Sequence, residues 1–244
     1  MPVIPSTPKP PITVYVTGFG PFRKVSRNPS WEIVSSFLPS TRVSSDLYNI
    51  DIVPHPDFVK VAYETVDTLI PTVHAEKTFD YILHVGVGVP GDYEIETVAH
   101  EKGYVKADVD GLIPGGLPAA PVLEGDRTGD SGKDGVTETD GGAVYRTELN
   151  VDNICKMIHA IVPKTPDIPL RVKASADAGR YMCEYIFRTS LRCATDPTRR
   201  VLFLHVPPEN MPYGIEEGKQ FLEKFVIAFV TEGERLRKER GGEL

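Results

Sequence analysis

Short β-rich runs alternate with helical stripes along most of this chain. Ile12-Thr-Val-Tyr-Val-Thr17 predicts a first, central strand, ended by the loop Gly18-Phe-Gly-Pro-Phe22. Asn28-Pro29 predicts a helix start, because Asn caps well and Pro suits the first helical position. Trp31, Val34 and Phe37 would then face the core. Tyr48 to Val53 predicts a second strand. From Asp57 onward, Phe58, Val61, Ala62, Val66, Leu69 and Ile70 recur at close to helical spacing. Phe79 to Val85 predicts an apolar strand that runs into the glycines of 86–91, and Tyr93 to Val98 alternates as a strand does. After Asp152, Ile154, Cys155, Ile158 and Ile161 predict another helix. Leu170 to Ala174 predicts a strand, a small-residue turn follows, and a helix carries Tyr185, Ile186 and Leu191. Arg199 to Val206 is the last strand. A final helix opens near Gly214, with Ile215, Leu222, Phe225 and Phe229 on one stripe.

Strands alternating with helices predict an α/β fold, a mostly parallel or mixed sheet with helices on both faces. Residues 12–230 read as one domain. A proline-rich stretch, 1–11, precedes it and is expected to be extended or disordered; a charged tail, 231–244, follows and is expected to fray. Between Lys102 and Asn150 periodicity gives way to Gly, Pro, Asp and Thr, which predicts either a functional cover loop or partial disorder.

Composition narrows the functional classes. At 244 residues the chain can bury roughly 70–75% of its unfolded surface, so it needs neither disulfides nor a structural metal to fold. A net charge of −7 with no Lys/Arg run argues against nucleic acid or an anionic membrane as partner. Polar residues interrupt every apolar run before a bilayer could be spanned. Three cysteines, Cys155, Cys183 and Cys193, are too few and too odd for a disulfide framework, and a reducing cytoplasmic setting fits them.

In a sheet of this kind ligands bind beyond the carboxyl ends of the strands. The Gly18–Phe22 loop, the 86–91 glycines, Cys183 and His205 all fall there. Cys183 sits near the start of a helix, where partial positive charge and free N–H groups favour a thiolate. Buried, unreactive cysteine is the commoner outcome, and this stretch alone does not decide against it. A cysteine hydrolase also needs an imidazole and a group to orient it. Of six histidines, His205 is the best partner, since it ends a strand just before Pro207-Pro208. His84 lies inside an apolar strand and reads as a core residue. His55 and His159 read as edge or surface residues, His74 as following an exposed helix, and His100 stays open. Many carboxylates could serve; Glu96, just after the glycine loop, is the candidate. Phe19 and Phe22 either wall a small apolar slot or pack under a loop. Neither glycine loop matches a nucleotide motif, and no Cys/His spacing suits zinc.

Five motifs in order resemble the pyroglutamyl-peptidase I (pyrrolidone-carboxylate peptidase) family of cysteine peptidases. They are Thr17-Gly-Phe-Gly-Pro-Phe22 with Asn28-Pro-Ser-Trp31; His84-Val-Gly86; Ile95-Glu96 with His100-Glu-Lys-Gly-Tyr104; Ser175-Ala-Asp-Ala-Gly-Arg-Tyr-Met-Cys183; and Phe203-Leu-His-Val-Pro207. The resemblance spans about Val14 to Phe229, with 106–150 largely outside it. It implies a single three-layer α/β/α domain with a twisted mixed sheet. It implies Cys183 as nucleophile, His205 as general base and acid, Glu96 as orienting carboxylate, and Phe19 and Phe22 lining a pyroglutamyl ring pocket. The implied substrate is a peptide with an N-terminal pyroglutamate, cleaved without metal or cofactor by a monomer or weak homo-oligomer. The sequence departs from the family at Arg23, where Gly is usual, at Thr97, where a basic residue is common, in a shorter run from His84 to Glu96, and in the 106–150 insert. Two other readings fit the same residues: a binding or regulatory protein with weakened catalysis, and an acyl hydrolase for a different blocked N-terminus.

Overall fold

The computed structural model describes residues 11–23, 25–118, 142–162, 169–194 and 200–241. The chain runs β1 (Pro11–Gly18), α1 (Pro29–Ser35), β2 (Thr41–Ser44), β3 (Asn49–Pro54), α2 (Tyr63–Glu76), β4 (Tyr81–Val87), β5 (Tyr93–Glu96), β6 (Val98–His100), β7 (Leu112–Ile113), β8 (Leu117–Pro118), β9 (Val144–Arg146), α3 (Val151–Ile161), β10 (Val172–Ser175), α4 (Met182–Cys193), β11 (Arg200–Val206) and α5 (Ile215–Gly241). Seven strands form one sheet in the order β10-β5-β11-β4-β1-β3-β2. β1 is interior, one place from the middle strand β4. Pairing is parallel except between β5 and β11 and between β2 and β3.

Side-chain alternation along the central strands divides the core in two. Val14, Val16, Leu83, Val85, Leu202 and Leu204 point to one face, where Ile33, Val34, Ile154, Ile158, Phe225 and Phe229 of α1, α3 and α5 cover them. Tyr15, Ile82, Val201 and Phe203 point to the other, under Val66 and Ile70 of α2 and Ile186 and Phe187 of α4. The central strands are buried on both faces, which is why they read as continuous apolar runs.

The structure departs from the expected helix at Asp57. Val59 instead bridges the chain just beyond β1, its amide donating to the Gly18 carbonyl at 2.9 Å and its carbonyl accepting the Gly20 amide at 3.0 Å. This bridge outweighs local helical spacing, and α2 starts only at Tyr63. There the Asp108 carboxylate accepts the Tyr63 amide at 3.0 Å, a cap supplied from 45 residues away. His74 also differs from expectation. It lies within α2, buried, with Nε2 2.8 Å from the Ser190 hydroxyl. The last helix does not fray after Thr231. Glu232 is buried, bonded to Arg235 at 2.7 and 2.9 Å, and Tyr81 donates to Glu234 at 2.9 Å.

Of the expected tail 1–11, only Pro11 is among the described residues, where it begins β1; most of the 106–150 insert, from 119 to 141, also lies outside them. The described start of the insert is stitched to the core through Asp108, through Tyr63 donating to the Lys106 carbonyl at 2.8 Å, and through Tyr181 donating to the Ala107 carbonyl at 3.0 Å. Among the described residues no helix is long and apolar enough to cross a membrane.

His84 is fully buried in β4, with Nδ1 2.8 Å from the Thr17 hydroxyl. Burial pushes its imidazolium down to about 3, with a smaller contribution from His74. The unfolded chain takes up this proton below about pH 6.5 while the fold refuses it, so stability is lost as pH falls through that value and is unaffected above it. The slope from this one group is at most about 1.4 kcal/mol per pH unit. Urea unfolding at about pH 7, 6 and 5 should show a shallower loss of stability in His84→Gln than in the parent protein; parallel pH curves would contradict this.

Candidate active site

The strand register brings the sequence candidates together. In the antiparallel pairing of β5 with β11, Glu96 lies opposite Phe203 and Glu94 opposite His205. All four therefore share one face, and Glu96 is the diagonal neighbour of His205. The Glu96 Oε1 is 2.8 Å from the His205 Nδ1, with Glu96 0% exposed and His205 6%. The Phe203 ring packs edge-on to the imidazole at 4.8 Å between centroids.

Cys183 reaches the same place from the α4 side. Tyr181 is the N-cap of α4 and Cys183 its second residue, half-buried at the edge of the cluster formed with Met182 and Ile186. Two glycines of the β4 loop make room for the pair. A Cβ at Gly86 would lie 2.9 Å from the Cys183 sulfur and 2.7 Å from the Phe203 ring; one at Gly88 would lie 2.9 Å from the His205 Cβ. These glycines clear space for side chains rather than cradling a phosphate. Burial by itself would push the His205 imidazolium down. The neighbouring Cys183 sulfur and the Glu96 carboxylate outweigh it and raise the imidazolium to about 10.

Sequence reasoning did not single out Glu184, which follows Cys183 and is 0% exposed. Its Oε1 accepts the His100 amide and lies 2.7 Å from the His100 Nδ1, and its Oε2 accepts the Arg180 amide at 3.0 Å. This assigns the open histidine: His100 belongs to Glu184. The turn before Cys183 is thereby tied to the segment just beyond Glu96. Thr97, one of the departures, adds a second tie, its amide and hydroxyl both donating to the Ser175 carbonyl at 2.8 Å. No local sequence pattern signals Glu184 as buried, because its partner His100 lies far along the chain.

Phe19 and Phe22 diverge. Phe19 is 4% exposed and pairs with Val59, its amide donating to the Ser30 hydroxyl at 3.1 Å. Asn28 fixes this loop by capping α1 through the Ser30 amide at 3.1 Å while donating to the Gly20 carbonyl at 3.0 Å. Phe22 is half-exposed and packs against the same cluster as Tyr181 and Cys183. Glu94, Glu96 and His205 offer ligand atoms within 4.8 Å of one another, a spacing that would admit a cation. Glu94 is engaged by Lys173 at 3.0 Å and Glu96 by His205, so the set already forms an ion-pair network.

A sulfur beside a carboxylate-backed imidazole, at a helix start beyond a parallel sheet, is the arrangement of a cysteine hydrolase. The chain also matches the family model described as Pyroglutamyl peptidase over residues 12–221. It is 30% identical over 205 residues to "Pyroglutamyl-peptidase 1" of Homo sapiens, covering 84% of this chain and 83% of that protein. It is 26% identical over 219 residues to the "Pyrrolidone-carboxylate peptidase" of Brevibacillus brevis, covering 88% and 87%. Pyroglutamyl peptidase I of Bacillus amyloliquefaciens shares the fold at a TM-score of 0.64 and 22% identity, over 91% of this chain and 95% of that one. The pyrrolidone carboxyl peptidase of Thermococcus litoralis shares it at 0.63 and 20%, over 94% and 96%. The chain belongs to the pyroglutamyl peptidase family of cysteine peptidases.

Gly86→Ala should force the Cys183 sulfur and the Phe203 ring apart. Overpacking of this kind costs about 1–3 kcal/mol of stability, and activity measured at a temperature where the variant stays folded should fall more than roughly tenfold, since a small misplacement of reacting groups is enough. Unchanged activity in the folded variant would mean the sulfur is not seated over Gly86 during the reaction.

Proposed function

We propose that this protein is an exopeptidase that removes pyroglutamate from the N-terminus of peptides, with Cys183 as nucleophile, His205 as general acid and base, and Glu96 as the orienting carboxylate. The observation that carries this reading is the Cys183–His205–Glu96 array, buried on its Glu96 side and open on its Cys183 side.

The reaction needs the sulfur as an anion and His205 as the imidazolium. The surroundings of His205 raise its imidazolium to about 10, so the ring keeps its proton through the neutral range and loses it as pH rises through about 10. The sulfur attacks the pyroglutamyl carbonyl carbon, forming the C–S bond. Backbone N–H groups at the start of α4 are suited to receive the negative charge that develops on oxygen. His205 gives its proton to the departing amine nitrogen as the C–N bond breaks, leaving a thioester. The neutral imidazole then takes a proton from water, whose oxygen attacks the thioester carbonyl. Free pyroglutamate leaves, the sulfur is again the anion, and His205 is again the cation.

Glu96 accepts from Nδ1 and so keeps Nε2 toward the sulfur, the tautomer that both steps need. The pyroglutamyl ring is a neutral lactam. An apolar slot suits it, with Phe22 as an accessible wall and Phe19 as the layer behind it, and no acidic residue is needed to pair an ammonium group. A cytoplasmic setting, where free Cys155, Cys183 and Cys193 stay reduced, completes the reading, with the protein acting as a monomer or weak homo-oligomer and without a nucleic-acid partner.

Turnover of pyroglutamyl aminomethylcoumarin by the reduced protein tests this directly. Cys183→Ala should lower kcat/KM by roughly 10⁴-fold or more with the thermal melt retained, while Cys155→Ala and Cys193→Ala should change it less than about twofold, being remote from the reacting atoms. No turnover by clean reduced protein, or an equal loss from Cys155→Ala, would contradict the assignment.

A further inference from the structure

Resting on the reading above, we infer that Arg23 is a carboxylate-binding residue of the site, which makes the enzyme favour substrates bearing a carboxylate on the part that departs. Arg23 occupies the tip of a tight turn closed by the Phe22 amide donating to the Val25 carbonyl at 3.0 Å and the Val25 amide donating to the Phe22 carbonyl at 2.8 Å. Its φ is 47°, a left-handed conformation that suits glycine and that a long side chain adopts at a cost. Backbone strain of this kind persists where a site requires it.

The side chain gives that strain a use. The guanidinium carbon stands 5.3 Å from the centroid of the Tyr181 ring, within cation–π range. Tyr181 is the N-cap of α4, two residues before Cys183. Phe22, Tyr181 and Cys183 are among the partly buried residues packed against one cluster, and Tyr181 and Cys183 flank Met182 at the start of α4, so the ring beneath Arg23 stands at the same helix start as the sulfur. The turn and the ring thus fix a positive charge beside the reaction centre.

That charge is unmatched. Arg23 is exposed and forms no salt bridge among the described residues, whereas nearby cations are committed: Arg27 to Glu32 at 2.9 Å, Lys60 to Asp110 at 2.7 Å, and Arg180 to Glu184 at 3.4 Å. The pyroglutamyl lactam is neutral and offers the guanidinium nothing to pair with. A carboxylate on the departing residue does, whether it is the free C-terminus of a very short peptide or an acidic side chain. Guanidinium recognises either through paired N–H donors.

Two substrate pairs separate those sources. Pyroglutamyl-alanine against its amide reports the C-terminal carboxylate, and pyroglutamyl-aspartate amide against pyroglutamyl-asparagine amide reports the side chain. The wild type should favour the acidic member of at least one pair by about threefold to tenfold in kcat/KM at low salt, and the preference should shrink at about 0.5 M salt. Arg23→Gln should bring that ratio to about one, while Arg23→Lys should retain part of it. Parity of both pairs in the wild type overturns the inference. So does an Arg23→Gln variant that slows acidic and neutral members alike, which would make Arg23 a staple on Tyr181. An Arg23→Gln effect confined to inhibition by free pyroglutamate overturns it as well, by moving the carboxylate to the product. No turnover of any of the four substrates overturns the proposed function and this inference together, whereas turnover without discrimination overturns this inference alone.

Discussion

The contact between His205 and Glu96 is the constraint around which the rest of the site is arranged. Both groups are buried, and a buried carboxylate or imidazolium without a partner is costly by several kcal/mol. The 2.8 Å contact depends on a diagonal relation across two strands that run antiparallel within an otherwise mostly parallel sheet. Reversing the direction of β5 beside β11 is what places Glu94 and Glu96 on the face that His205 uses. A one-residue slip of that register would turn both carboxylates to the opposite face. The parallel β10–β5 ladder and the Thr97 tie to Ser175 hold the register from the far side.

Against this fixed pair the sulfur has to be delivered from another layer. α4 packs on the same face as α2, and its first turn is held by Glu184, whose carboxylate gathers the amide and imidazole of His100 and the amide of Arg180. Gly86 and Gly88 remove the side chains that would otherwise occupy the place where sulfur and imidazole meet. The start of the insert joins the same scaffold, since Asp108 caps α2 and the Ala107 carbonyl accepts from Tyr181. Residues that look like a loop in the sequence therefore help to hold the N-cap of the helix that carries Cys183. Electrostatics then follow from position: burial disfavours the charged His205, and the sulfur and Glu96 together reverse that preference.

Much of this was legible in the sequence wherever the signal is local. Apolar runs bounded by glycine and proline mark β1, β4 and β11, and Asn28-Pro29 marks α1 through its cap. The order of motifs points to Cys183, His205 and Glu96. What the sequence hides is set by long-range contacts. The apolar spacing from Phe58 reads as helix, but the Gly18 carbonyl at the end of β1 and the Gly20 amide just after it hold Val59 in a β-bridge. His74 reads as exposed until Ser190 of α4 is seen to meet it. The charged residues after Thr231 read as a fraying tail because their partners, Tyr81 and Asn150, stand far back in the chain. Glu184 escapes notice for the same reason, being defined by a buried junction with His100, while Arg23 stands out in the sequence only as a departure, since the Tyr181 ring it meets lies far along the chain.

The reactivity of the three cysteines tests the central claim most directly. Burial pushes the Cys155 thiol up to about 11 and also raises that of Cys193, while Cys183 faces an imidazolium backed by Glu96. Iodoacetamide labelling of the reduced native protein near neutral pH, followed by peptide mapping, reports each thiol separately. Cys183 should be labelled first and by a wide margin, in step with loss of activity, and Glu96→Gln should narrow this margin. Equal, slow labelling of Cys155, Cys183 and Cys193 would contradict it, because the His205–Glu96 pair would then be a buried structural contact with no hold on the sulfur.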